Sequence, residues 1–256
     1  MTDVAPQHGA VDVRWAVEGA GPWILDIVAH GDDVLRLRTP RRVELLDDPV
    51  EDRVDPVAVF VDFLRAGGVR RGSVAAAVIE PVITPERLEA HWTLRLPAVP
   101  VDTLRILHAV FESNDYRSVT ITQPDLVRPR ADIAALSFPA IPLDVPFVVD
   151  HQRPSRSRRP RSVRLEFVDA VHDDHHDAIV DAIDAWIELV MLGGYWDGGT
   201  ASVYSFGASL DAANAIGVTF EDSGGCDERM FAGLLCIAEA VHLSRQPLQR
   251  VEIGVL

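Results

Sequence analysis

The chain has 256 residues, 48% hydrophobic and 25% charged, which is long enough for a sizeable core and too apolar for a disordered segment. Its 24 basic residues are all Arg, set against 26 Asp and 13 Glu, for a formal charge of −15. The absence of Lys excludes Schiff-base lysine chemistry and a lysine-dependent phosphate loop, and the acidic balance argues against an exposed surface for polyanions.

Met1 to Ala10 is polar and lacks the cationic and apolar regions of a signal peptide, and no apolar run reaches the roughly 18 residues that span a bilayer. A soluble, cytoplasmic protein with no membrane association is expected. Val11, Val13, Trp15 and Val17 alternate with polar or small residues as a strand does, and Gly19-Ala20-Gly21-Pro22 turns the chain. Trp23 to Val28 and Val34 to Arg38 read as a hairpin about Gly31-Asp32-Asp33, so residues 1–40 are expected to form a β meander.

An internal repeat follows. Phe60-Val61-Asp62-Phe63-Leu64-Arg65-Ala66-Gly67-Gly68 recurs in type as Trp186-Ile187-Glu188-Leu189-Val190-Met191-Leu192-Gly193-Gly194, 126 residues later. Arg42 to Leu46 resembles Arg164 to Val168, Leu107 to Val110 resembles Ala238 to Val241, and Arg117 to Ile121 resembles Gln249 to Ile253, in the same order. Within the first unit, 41–122, a strand at 42–46 leads to Asp55-Pro56, an N-cap with Pro at the first helical position. The helix carries Val59, Phe60, Phe63 and Leu64 and stops at Gly67-Gly68. Strands at 73–79 and 90–96, a helix from Asp102 to Ser113 and a strand at 118–122 complete the unit.

The second unit, 163–256, reads likewise. A strand at 163–168 precedes a long helix capped by Asp173 or Asp174, strands at 201–206 and 217–221 follow, and a helix from Asp227 to Leu243 leads to a strand at 249–255. Seven of the 17 prolines fall in the connector, 123–162, where 141–149 is compatible with an edge strand. The expected fold is therefore α+β, a tandem repeat of two ferredoxin-like βαββαβ units forming a pseudo-dimer behind an N-terminal β meander. Each unit leaves one sheet face uncovered, so the two sheets are expected to pair face to face around a central space or edge to edge. By fold analogy, the first arrangement looks like the dimeric α/β-barrel group.

Five features carry candidate chemistry. The tract His151 to Arg164 holds six Arg and no acid, so Arg153 to Arg164 is the one place suited to a nucleic-acid contact. It equally suits a basic segment lying on the acidic body of its own protein. His172, Asp173 and His176 have spacing for a zinc or iron site, though Asp at a helix start is also an ordinary cap. The acids Asp174, Asp177, Asp181, Asp184 and Glu188 continue at three-four spacing, as a solvated outer helix face does.

Tyr195, Trp196 and Tyr204 sit in a glycine-rich stretch that suits either a ligand loop or a plain helix stop, and Trp92 beside His91 is a further candidate ligand contact. Cys226 is placed before a helix, where the dipole lowers a thiol pKa, with His91 among the candidate bases. Two functions follow. The first is a non-catalytic binding, interaction or regulatory protein whose acidic surface suits a basic protein partner. The second is a small-molecule enzyme or ligand sensor with its site between the two repeats, with metal assistance from the His172 region as one form of it. No cofactor is otherwise expected.

Overall fold

The computed structural model describes residues 10–16, 23–31, 55–69, 77–96, 100–114, 116–122, 130–131, 133–152, 160–198, 204–222 and 226–255. The expected strands at 42–46 and 34–38, and the tract 153–159, lie outside these residues. The architecture is mixed α and β, with two sheets and, among the described residues, four α-helices.

The first half runs β1 (Ala10–Ala16), β2 (Trp23–His30), α1 (Pro56–Arg65), β3 (Ala77–Thr84), β4 (Glu89–Leu96), α2 (Thr103–Ser113) and β5 (Ser118–Thr122). A short β6 (Arg130–Ala131) follows, and the first sheet has the order β3-β4-β2-β5-β1-β6. The second half runs β7 (Val148–His151), β8 (Arg161–Phe167), α3 (Asp173–Met191), β9 (Tyr204–Ala212), β10 (Ala215–Asp222), α4 (Met230–Ser244) and β11 (Leu248–Val255). Its sheet has the order β7-β11-β8-β10-β9.

The N-terminal strands do not form a meander. β1 pairs in parallel with β5, and β2 is inserted between β4 and β5, which flank both sides of Asp26 to His30. No hairpin partner can lie alongside those residues. β2 thus takes in the first sheet the place that β8 takes in the second, and β7 lies parallel to β11 as β1 lies parallel to β5.

Local chemistry sets the helix ends. Asp55 Oδ1 accepts the backbone N–H groups of Val57 (2.8 Å) and Ala58 (3.2 Å), and both its carboxylate oxygens accept the Trp92 indole N–H at 3.1 Å. Burial raises the Asp55 pKa, and those donors oppose the rise. At the far end Gly67 takes φ +92° while the Gly68 N–H returns to the Phe63 carbonyl at 3.0 Å. α3 ends in the same way: Gly193 has φ +86° and the Gly194 N–H reaches the Leu189 carbonyl at 2.9 Å.

The sheets meet neither face to face nor edge to edge. The helices of the two halves pack on one another, α1 against α3, which leaves the sheets outermost. α4 is apolar on every side, with Met230, Phe231, Leu234, Leu235, Ile237 and Val241 all buried, so it needs cover on two faces. Its outer cover comes from α1. A Cβ placed on Gly233 would stand 2.7 Å from the Phe63 ring and 2.7 Å from the Tyr195 hydroxyl, and one on Gly67 would stand 2.8 Å from Ala240 Cβ. At the other end of the seam Ser113 Oγ and Asn114 Nδ2 donate to the Leu192 carbonyl at 2.9 and 2.8 Å.

The connector completes the seam. Phe138 is buried with the Arg105 guanidinium 4.7 Å and the Arg229 guanidinium 5.5 Å from its ring centre, and the Tyr195 ring lies 5.5 Å away. Arg105 also pairs with Glu112 at 3.2 Å, and the hydrogen bond to His108 together with the Arg105 guanidinium holds the Glu112 carboxyl below its ordinary value.

Two substitutions test this packing by chemical denaturation. Asp55→Ala removes the cap and strands the indole N–H, and is expected to lower stability by about 2–4 kcal/mol. Gly233→Ala forces Phe63 and Tyr195 off α4 and is expected to cost about 1–3 kcal/mol, even though Ala favours a helix.

Candidate functional site

The residues marked in the sequence are dispersed. His91 lies exposed on the outer face of the first sheet, its Nε2 3.9 Å from Asp26 Oδ1. Its neighbour Trp92 points the other way into the core, tied to Asp55. Cys226 does not sit at a helix N-terminus: α4 begins at Met230, and Cys226 forms an isolated bridge with Trp196, its thiol 3.9 Å from the Val190 carbonyl. His91 and Cys226 thus belong to different layers and form no nucleophile and base pair.

The other candidates are structural. Tyr195 is fully buried with its hydroxyl against Gly233, and burial pushes its pKa well up. Trp196 is likewise buried, while the side chain of Tyr204, which opens β9, lies outside the described residues. His172 occupies the N-cap position of α3 with its ring against His175, and its backbone N–H donates to Gln246 Oε1 at 3.1 Å. His176 pairs with Asp177 at 2.9 Å and Asp173 is exposed. Among the described residues no three His, Cys, Asp or Glu side chains converge as a metal ion requires.

The Arg tract is also partly committed. Arg161 is 1% exposed, donating to Glu228 at 2.9 Å and to the Gln152 carbonyl at 3.0 Å, and Arg164 pairs with Glu166 and Asp211. These two cations are engaged by acids and a backbone carbonyl around β8.

The feature that stands out is a groove where the two helix layers part. Asp62, Arg65 and Ala66 from the end of α1, the α3 face from Ala178 to Glu188, and Ala240 to Arg245 at the end of α4 enclose about 970 Å³. Alanines 66, 178, 182, 185 and 240 line it, and Leu243, 73% exposed, stands at one end. Asp62, Asp181, Asp184 and Glu188 also line it. The acidic stripe of α3 is therefore divided: Asp174 and Asp177 lie away from the groove, whereas Asp181, Asp184 and Glu188 line it, Asp181 and Glu188 from exposed positions.

These carboxylates crowd one another. Burial raises the Glu188 pKa, and the charges of Asp184 and Asp62 raise it further. Asp184 is raised by burial too, with the Ala208 N–H at 3.0 Å opposing and the charge of Asp181 reinforcing the shift. Asp62 is engaged by Arg65 at 3.0 Å. Small side chains let an incoming backbone come close, and the like charges around them favour a cationic occupant.

No protein-family model matches the chain, and no curated protein matches it either. Among the described residues no helix is long and apolar enough to cross a membrane.

The crowding has a sign that can be measured. A carboxyl with a raised folded pKa opposes folding when charged, so its penalty is complete at neutral pH and is relieved as pH falls through the raised value toward 4.5, the ordinary glutamate value. Glu188→Gln is therefore expected to leave stability at pH 7 unchanged or raise it by up to about 0.5 kcal/mol, solvent screening at this exposed site keeping the gain small. Denaturation at pH 7 and pH 4.5 checks this; a loss of stability at pH 7 would contradict the crowding.

Proposed function

We propose that the chain is a non-catalytic interaction protein, a duplicated ferredoxin-like pseudo-dimer whose inter-half groove receives a basic amphipathic helix from a partner protein. The carrying observation is the groove itself, with its lining of alanines and four carboxylates, three of them on one face of α3. The duplication is supported by the shared strand order, the parallel strand added beside β5 and β11, and the matching Gly-Gly ends of α1 and α3. In this reading each unit begins at β2 or β8, with β1 and β7 as matching additions.

A helix docks in such a groove by laying an apolar stripe along the floor and its cations along the rim. The exposed Leu243 offers an apolar contact at the end of that path. The charge of −15 speeds encounter with a basic partner and makes the rate fall with salt. The separation of His91 from Cys226 and the dispersal of the His172 cluster favour binding over catalysis.

A synthetic amphipathic helix with Ala/Leu on one face and Arg on the other serves as the probe, titrated by fluorescence anisotropy. The expected outcome is saturable binding that weakens between low and physiological salt, and about 3–10-fold weaker binding for the double variant Asp181→Asn, Glu188→Gln. Ala182→Trp, which fills the groove, should abolish it. Equal weakening by Glu252→Gln, on the outer face of the second sheet, would reduce the effect to general electrostatics and overturn the assignment.

A further inference from the structure

A short turn, 245–247, joins α4 to β11, and it is tied down on two sides. On one side Gln246, 3% exposed, accepts the His172 N–H at 3.1 Å and donates to the Asp169 and Ala170 carbonyls at 3.2 and 2.8 Å. On the other, the buried Leu248 at the start of β11 gives its backbone N–H to His242 Nδ1 at 3.0 Å. Phe147, a buried anchor of the connector, packs on the same imidazole with ring centres 5.9 Å apart.

The direction of the Leu248 bond fixes the state of the ring. A backbone N–H can only donate, so Nδ1 carries a lone pair and the single ring proton sits on Nε2. A second proton would go onto Nδ1, set two donors against each other and leave a buried N–H without this acceptor. His242 is wired in the opposite sense to the other paired histidines. His30, His91, His108, His151 and His176 each lie within 4.0 Å of a carboxylate, which favours a proton on the ring. Among the described residues no carboxylate pairs with His242: the connector presents Phe147 to it and β11 presents Leu248. On its own helix Glu239 and Arg245 stand one turn away on either side. The β8–α3 loop touches the turn through the backbone of Asp169 and His172, at Gln246.

We propose that His242 is a proton-operated latch between α4 and β11. Neutral, it holds Leu248 to the last turn of α4; protonated, it lets Leu248 go and turns off Phe147 toward water. Imidazoles exchange their proton between about pH 5 and pH 8, so mild acid is enough to work it. Leu243, Ser244 and Arg245, which follow the latch directly, are a wall of the helix groove. Acid therefore slackens that wall, a consequence that rests on the groove reading, whereas the latch itself does not.

The test is amide exchange by nuclear magnetic resonance on the full chain, with the protection of Leu248 referred to that of Val251 in the same strand. From about pH 7.5 to about pH 5.5 the ratio is expected to fall about 3–10-fold, and the His242 ring to show the Nε2–H tautomer at the higher pH. His242→Asn, which offers an amide oxygen near the place of Nδ1 and takes up no proton, should keep the ratio constant; His242→Ala should lower it at both pH values. An Nδ1–H tautomer at the higher pH, a ratio that does not fall, or an equal fall in His242→Asn would each overturn the proposal. Should a variant fail to fold, the tautomer and the pH series on the unsubstituted chain decide alone. The amphipathic helix probe of the groove is expected to lose about 3–10-fold more affinity on the same acidification in the unsubstituted chain than in His242→Asn. Equal losses overturn the coupling to the groove; a probe that binds at neither pH counts against the groove and leaves the latch to the exchange data.

Discussion

The structure depends on the contact between two helix layers. Each half covers one face of its sheet with two helices, and those helices then meet the helices of the other half instead of solvent. This demands helices with two apolar faces, and α4 and α2 supply them: α4 is buried from Met230 to Val241 on nearly every side, and α2 buries even Arg105 and His108. Neither helix would be soluble with only its own sheet for cover. The halves are in that sense a single folding unit, with one continuous core running from Leu25 in the first sheet to Val251 in the second.

Close approach sets the terms of that contact. Phe63 fills the space that a side chain at Gly233 would need, and Gly67 is pressed on Ala240, so the seam is tight where aromatic meets glycine. It cannot be tight along its whole length, because the helices are not of equal length and the Gly-Gly turns end α1 and α3 abruptly. On one side of the Gly67-Gly68 turn the layers part over alanines and become the acidic groove. On the other side the connector prolines bridge a smaller gap over Asp102 and Thr103. The groove and the smaller gap are thus consequences of how the two layers end.

Much of this was legible in the residues. Asp55-Pro56 starts α1 as its chemistry requires, and the Gly-Gly pairs stop α1 and α3 with matching backbone geometry. In β4 the alternation of His91, Thr93 and Arg95 with Trp92, Leu94 and Leu96 matches the alternation of burial. Sheet position is where local pattern fails. Trp23 to Val28 and Arg42 to Leu46 both read as strands; the second lies outside the described residues, and only long-range pairing, with β4 on one side and β5 on the other, places β2 in the middle of the sheet. The helix-to-helix packing has a local signal, the run Met230 to Leu243 with apolar residues nearly all round.

The charge distribution completes the picture. Acids could have been placed anywhere on the outer faces of the sheets, and there Arg164 and Arg250 do pair with neighbouring acids, including Asp211 and Asp150. In the groove, by contrast, Asp184 and Glu188 repel each other across one helix turn beside a half-buried alanine surface. Closing the groove more tightly would bury those carboxylates further, which burial already disfavours. An apolar floor of alanines and a set of mutually repelling carboxylates thus share this end of the seam.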